Sequence, residues 1–202
     1  MKTKIGVALM VFGAGLLLFS AGLLTYNLYD EKRAAERSAE VLDALNDQLP
    51  DERQSADSQL EDLLGGSDMR TVEIDGQQYI GVLEIPSQGL SFPVLSEWSY
   101  PKLKIAPCRY KGSVFDDSLI LAAHNYKKHF GGISLLKTGD LVAFTDVDGN
   151  VFTYRVSLAE TLAGTAVQAM ESGEWDLTLF TCTYNGKSRV TIRCERIPGG
   201  AR

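Results

Sequence analysis

Three residue types in this 202-residue chain can together run covalent chemistry: a cysteine, a histidine and an arginine. Cys182 ends the run Leu177-Thr-Leu-Phe-Thr-Cys182, where apolar residues and polar Thr178 and Thr181 read as a strand over 177–181. A polar segment follows, and its Asn185-Gly186 pair is a strong turn signal. Residues 189–193 then alternate basic and apolar, as a returning strand does. A thiol at the open end of one strand, beside a guanidinium entering the next, suits nucleophilic attack. The thiolate is the reactive form, and nearby positive charge favours it. Read from these residues alone, a small buried cysteine in a hairpin stands beside that interpretation. Arg189 and Arg193 are four apart and face the same side of their strand, so periodicity does not choose between them.

A base is sought among only two histidines. His124 directly follows the apolar run 119–123, in Leu121-Ala-Ala-His-Asn-Tyr-Lys-Lys-His-Phe-Gly131. His129 sits among Lys127, Lys128 and Phe130 with no apolar strand to hold it, and reads as a loop-surface residue. By itself His124 fits a core histidine bonded to a backbone carbonyl. With Cys182 it forms the nucleophile–base pair that covalent catalysis needs, since an imidazole near neutrality both donates and accepts protons.

Thr178-Leu-Phe-Thr-Cys182 resembles the TLxTC signature of the sortases, the cysteine transpeptidases of Gram-positive surfaces. A histidine that ends a strand and opens an Asn-containing loop, as His124 does, resembles the same family. So does an arginine placed early in the strand after the cysteine loop, which favours Arg189 over Arg193. The resemblance spans roughly residues 79–197. It implies that Cys182 attacks the backbone carbonyl of an LPxTG-like sorting motif and forms a thioester. His124 then protonates the departing amine, and Arg189 stabilises the oxyanion. Thr181, Ala123 and Asn125 would flank the substrate. An amine from a cell-wall precursor or a pilin lysine would resolve the thioester. The segment before the domain holds no Asp-Pro-aromatic lid of the pilin-polymerising class C enzymes, which points toward a class B- or D-like member. Two other functions fit the same residues: a cysteine peptidase that only hydrolyses, and a non-catalytic, membrane-tethered β-barrel binding module.

The elements that must position these residues are short apolar strands separated by Gly, Pro, Asn and Asp from about residue 71 onward. Strands are expected at 78–86, 90–95, 119–123, 140–145, 150–156, 157–162, 177–181 and 189–193, about eight in all. Asp146-Val-Asp-Gly149 supplies a hairpin turn, and residues 167–172 read as helical or irregular. This is an all-β pattern, and the resemblance implies an eight-stranded barrel for the domain at 69–202.

Ahead of it, residues 5–26 carry no charge. As a helix they would be long enough for the roughly 30 Å hydrocarbon core. Lys2 and Lys4 precede this run, placing the N-terminus in the cytoplasm and the domain outside, so that residues 1–28 form a single-pass signal anchor in the cell membrane. The alternative, a cleaved signal peptide, has a shorter apolar region. Residues 29–68 form a charged stalk: helix formers with a partial stripe at Val41, Leu42, Ala44, Leu45 and Leu49, a stop at Pro50, and a second helical piece at 55–64 before Gly65-Gly66. The stripe can pack on the domain.

The net charge of −6 and the lack of a dense basic cluster exclude a nucleic-acid footprint. Cys108 and Cys194 are either two unpaired buried thiols or, in an oxidising compartment, a disulfide. Glu195 opposes thiolate formation at Cys194. The proposed chemistry calls for no cofactor and no metal. Asp116, Asp117, Asp146 and Asp148 could suggest Ca²⁺, yet each falls in a turn where Asp is expected for backbone reasons.

Overall fold

A computed structural model describes residues 2–48, 69–173 and 175–198. The expected helix stop at Pro50, the second helical piece at 55–64 and the Gly65-Gly66 break lie outside these residues, as does Leu49.

One helix, α1, runs from Lys2–Asn46 without a break, so the 28/29 boundary between anchor and stalk falls inside continuous helix. Its described side chains up to Tyr29 are almost all exposed, and its apolar stretch has a mean hydropathy of 2.3. Among the described residues it is the one helix long and apolar enough to cross a membrane. From Asp30 on, one face turns inward: Ala34, Ser38, Val41 and Leu45 are buried, spaced four, three and four apart as a 3.6-residue period requires. Val41 and Leu45 pack with Tyr79, Val82, Leu95 and Leu103 in a cluster outside the barrel.

Among the described residues nine strands follow. The first, β1 (Val72–Ile74), forms a hairpin with β2 (Gln77–Ile85) through Asp75-Gly76, both with positive φ, the geometry that twists a two-residue turn to match its strands. The others are β3 (Leu90–Leu95), β4 (Cys108–Lys111), β5 (Leu119–Ala123), β6 (Leu141–Asp146), β7 (Val151–Ala163), β8 (Leu177–Cys182) and β9 (Ser188–Arg196). They run β1-β2-β3-β4-β5-β8-β9-β7-β6, and a β2–β6 pairing closes β2 to β9 into an eight-stranded barrel. Two short helices punctuate it, α2 (Tyr100–Leu103) and α3 (Val167–Glu171). The interior holds Ile80, Leu83, Phe92, Leu119, Leu121, Phe144, Tyr154, Leu177, Leu179 and Ile192.

The expected number of barrel strands is met by a different set. β4 is short and mixed, Cys-Arg-Tyr-Lys, and has no alternation to reveal it. The stretches 150–156 and 157–162 are one strand of 13 residues that changes partner: β6 opposes its first part and β9 most of the rest, with a register shift between Val156 and Leu158. That irregularity breaks the period of two, so one bent strand reads as two.

Of the two readings of Cys108 and Cys194, the structure has the unpaired one: both thiols are free and buried. Cys194 points into the barrel, whereas Cys108 belongs to the cluster outside it beneath α1, with β5 and β8 between their strands. Burial pushes each thiol up to about 12. Asp146 is a turn builder. Its carboxylate accepts from the backbone N–H of Asp148 and Asn150 and from Asn150 Nδ2, while Asp148 pairs with Arg70. Asp117 pairs with Arg196. Among the described residues no three His, Cys, Asp or Glu side chains gather as a metal-ligand set.

Candidate active site

The site is built by three neighbouring strand ends. β5 and β8 run parallel with Ala123 opposite Thr181, so the next residues, His124 and Cys182, come side by side at the strand ends. β8 and β9 are antiparallel with Cys182 directly opposite Arg189. Directly opposed residues put their side chains on one face with Cβ atoms about 5 Å apart. Leu177, Leu179 and Ile192 fill the interior, so Phe180, Cys182 and Arg189 face outward by alternation. Cys182, His124 and Arg189 meet at one cleft of about 200 Å³ on the outer wall of the barrel.

Local hydrogen bonds hold these ends. The Thr181 hydroxyl donates to the Ala123 carbonyl at 2.8 Å, tying β8 to β5 one residue before the thiol and the imidazole. The hairpin 183–188 is closed by Thr183 N–H to the Ser188 carbonyl at 2.9 Å, and the Asn185 side chain accepts from the Thr183 hydroxyl and from Lys187 N–H. Arg189 donates to the carbonyls of Gly186 and Ser188 and keeps a half-buried side chain at the cleft.

Arg193 does something else. It is 2 % exposed and donates to Glu160 Oε1, to Thr178 Oγ1 and to the carbonyls of Ala169 and Met170. It therefore pins the end of α3 to the sheet. All three nitrogens of this guanidinium donate within the fold, and it does not line the cleft. Of the expected flanking residues, Ala123 lines the cleft, Thr181 is buried and engaged with Ala123, and Asn125 lies outside the lining.

His124 is half-buried and stacks on Tyr126, with ring centroids 5.0 Å apart at 29°. Burial lowers its pKa below the ordinary value of 6.5 and Lys104 adds to that, while the Asp30 carboxylate pulls the other way. The imidazole is thus mostly neutral at pH 7. The expectation for His129 is corrected: it is fully buried, set among Phe92, Phe130 and Tyr126. Among the described residues both its ring nitrogens lack a hydrogen-bond partner, and burial followed by the charge of His124 takes its pKa down to about 4. The loop 125–131 folds back sharply, with Phe130 N–H on the His124 carbonyl and Gly131 N–H on that of Tyr126, which carries His129 under the sheet edge.

The rest of the cleft is apolar and was not evident from sequence. Trp98, Tyr100 and Leu103 form one wall, Val167 and Met170 of α3 another, and Tyr110 with Phe180 the floor. The aromatics contact one another edge to face: Trp98 with Tyr100 at 5.8 Å and Tyr110 with Phe180 at 5.3 Å. Trp98 and Tyr100 remain exposed, as large rings at a binding surface do.

The sortase domain family model matches residues 83–197. No curated protein matches the chain. Among solved structures it is similar to sortase C of Streptococcus pneumoniae, with 19% identity, a TM-score of 0.63, and 81% of this chain and 99% of that one covered. Sortase C1 of Streptococcus agalactiae follows with 24% identity, a TM-score of 0.55 and coverages of 63% and 72%. Sortase A of Corynebacterium diphtheriae has 17% identity, a TM-score of 0.52 and coverages of 61% and 64%.

Proposed function

This chain belongs to the sortase family and is therefore a cysteine transpeptidase; we propose that Cys182 is its nucleophile, His124 its general acid and base, and Arg189 its oxyanion donor. The register of β5, β8 and β9 carries the assignment, because it brings these three side chains to one outward-facing cleft. The family acts on sorting-signal proteins and amine acceptors. For this chain we take the signal to be LPxTG-like and the acceptor to be a cell-wall precursor or a pilin lysine.

As His124 takes the Cys182 thiol proton, Sγ forms a bond to the carbonyl carbon of the scissile peptide, and the oxyanion of the tetrahedral adduct lies against the Arg189 guanidinium. Fixed donors at that oxygen contribute several kcal/mol. Collapse breaks the C–N bond, and the leaving amine takes a proton from His124. The acceptor amine then attacks the thioester carbonyl and gives a proton to His124, which passes it to the departing Cys182 sulfur. A lowered imidazole pKa suits the second half, where a neutral base is required. The apolar walls exclude water from the thioester and so favour the amine over hydrolysis. No cofactor enters this sequence.

Helix α1 is proposed as a single-pass membrane anchor, its N-terminus cytoplasmic and the barrel outside. Asp30, the first α1 residue to turn toward the domain, then lies about 6 Å beyond the apolar run. The cleft accordingly sits close to the bilayer surface.

The test uses the full chain in detergent, a panel of LPxTG-like peptides, and intact mass with and without triglycine or hydroxylamine. The expected result is an adduct on Cys182 that is released as the amine conjugate and is absent in Cys182→Ala and His124→Ala. An adduct that only hydrolyses would make the protein a peptidase. Failure of every peptide, together with a Cys182 inert to a small alkylating agent, would leave a binding module.

A further inference from the structure

Helix α1 reaches further than an anchor needs to. Asp30 Oδ2 accepts the Tyr126 hydroxyl proton at 2.9 Å, and on the next residue Glu31 Oε1 accepts the backbone N–H of Lys127 at 2.7 Å. Both bonds join residues 96 positions apart, from the first inward-facing turn of α1 to the loop that begins at His124. Tyr126 in turn lies nearly parallel to the His124 ring at 5.0 Å. The chain of contacts runs from helix to carboxylate, phenol and imidazole.

We propose that Asp30 and Tyr126 are positioning residues for the reaction, a tether by which the membrane-proximal helix orients and charges the catalytic His124. The physical case has two parts. A half-buried imidazole at the end of a strand has free rotation about χ1 and χ2 unless something flat packs on it, and the Tyr126 ring does so. Tyr126 is itself fixed only if its hydroxyl has a partner, and that partner comes from α1. The Tyr126 phenol is held protonated up to about 12 by burial and by Asp30, so it remains a donor throughout the working range.

The second part is electrostatic. The groups facing His124 and its ring partner are Lys104 after α2, Arg189 and Cys182 across the cleft, His129 on its own loop, and Asp30, Glu31 and Tyr26 from α1. Burial and Lys104 lower the basicity of His124, and Asp30 is the group that restores part of it. An imidazole that must protonate a leaving amine is useless if it never holds a proton. Asp30 therefore supplies what the acid half of the reaction lacks.

This inference rests on His124 being the acid–base group, and its test separates the two. The full chain is labelled with ¹³C-histidine and placed in lipid nanodiscs. Only two histidines report, and His129→Phe identifies which resonance is His124. Asp30→Asn is expected to move the His124 titration to lower pH. Tyr126→Phe, which keeps the ring, should move it part of the way, and the double variant should match Asp30→Asn. Transfer kcat should fall about three- to tenfold, with its alkaline limb at lower pH and KM nearly unchanged. Glu36→Gln, on the exposed face of α1 and paired only with Lys32, is the charge control and should leave the profile in place. An unmoved His124 titration in Asp30→Asn would overturn the tether, as would additive effects in the double variant. Full activity in His124→Gln would sink the catalytic reading instead, whatever the resonance does.

Discussion

Replacing Arg189 with Ala should cut the rate of thioester formation about 10²- to 10³-fold, the loss typical of one oxyanion donor, with little change in melting temperature. Arg193→Ala should do the reverse. Its buried guanidinium binds Glu160 and three other acceptors, and removing one member of such a network costs about 3–5 kcal/mol. Thermal melts beside single-turnover acylation of the two variants check the contrast; a stable, inactive Arg193→Ala would reverse the assignment. Iodoacetamide on the folded chain should likewise modify Cys182 alone, since Cys108 and Cys194 are buried with strongly raised pKa values. The sequence showed that both arginines share a strand face, and that much is periodicity. What separates them is α3, whose carbonyls occupy Arg193, and no local pattern announces which helix end folds over which strand. The same holds for His129. Its lysine neighbours read as surface, yet the reversal at 125–131 buries it.

At the scale of elements, the loop after β5 is the most exacting piece of the site. A Cβ on Gly131 would fall 2.6 Å from the Tyr126 carbonyl oxygen and 2.7 Å from that of Asn125, both backbone atoms that cannot yield cheaply. Gly131→Ala should therefore shift the residues beside His124. We expect at least a tenfold fall in kcat and a destabilisation of about 1–3 kcal/mol, measured by melts and peptide turnover. A variant with native activity would show that the loop relocates freely. β6, whose burial alternates residue by residue, was legible because it buries one face. β4 and the bend in β7 were not, because pairing with neighbours rather than composition holds them in the sheet. α1 shows the complementary limit. Its inward stripe is visible in the sequence, but the partner it meets outside the barrel is set by tertiary packing. Leu45→Ala, at a fully buried position in that cluster, should cost about 2–4 kcal/mol.

For the molecule as a whole, two buried ionisable groups set opposing pH dependences of stability. His129, ordinarily near 6.5, is taken down to about 4 in the folded barrel by burial first and the charge of His124 second. Between those values the unfolded chain binds the proton and the folded one does not, so this residue makes stability rise with pH across that window and adds no slope above it. Asp146, ordinarily near 3.8, is taken up to about 6, because burial outweighs the donors from Asn150 and Asp148. Here the folded chain holds the proton longer, so its contribution is present below 3.8 and is lost as pH rises through 6. The windows overlap, and these two slopes largely cancel between about 4 and 6. His129→Phe, which keeps a ring among Phe92, Phe130 and Tyr126, should expose the falling slope of Asp146. Asp146→Asn should expose the rising slope of His129. Urea melts of the full chain in detergent at intervals from pH 4 to 7 read both, and parallel curves for the two variants would refute the cancellation. One group lies in the loop after β5 and the other at the β6–β7 turn.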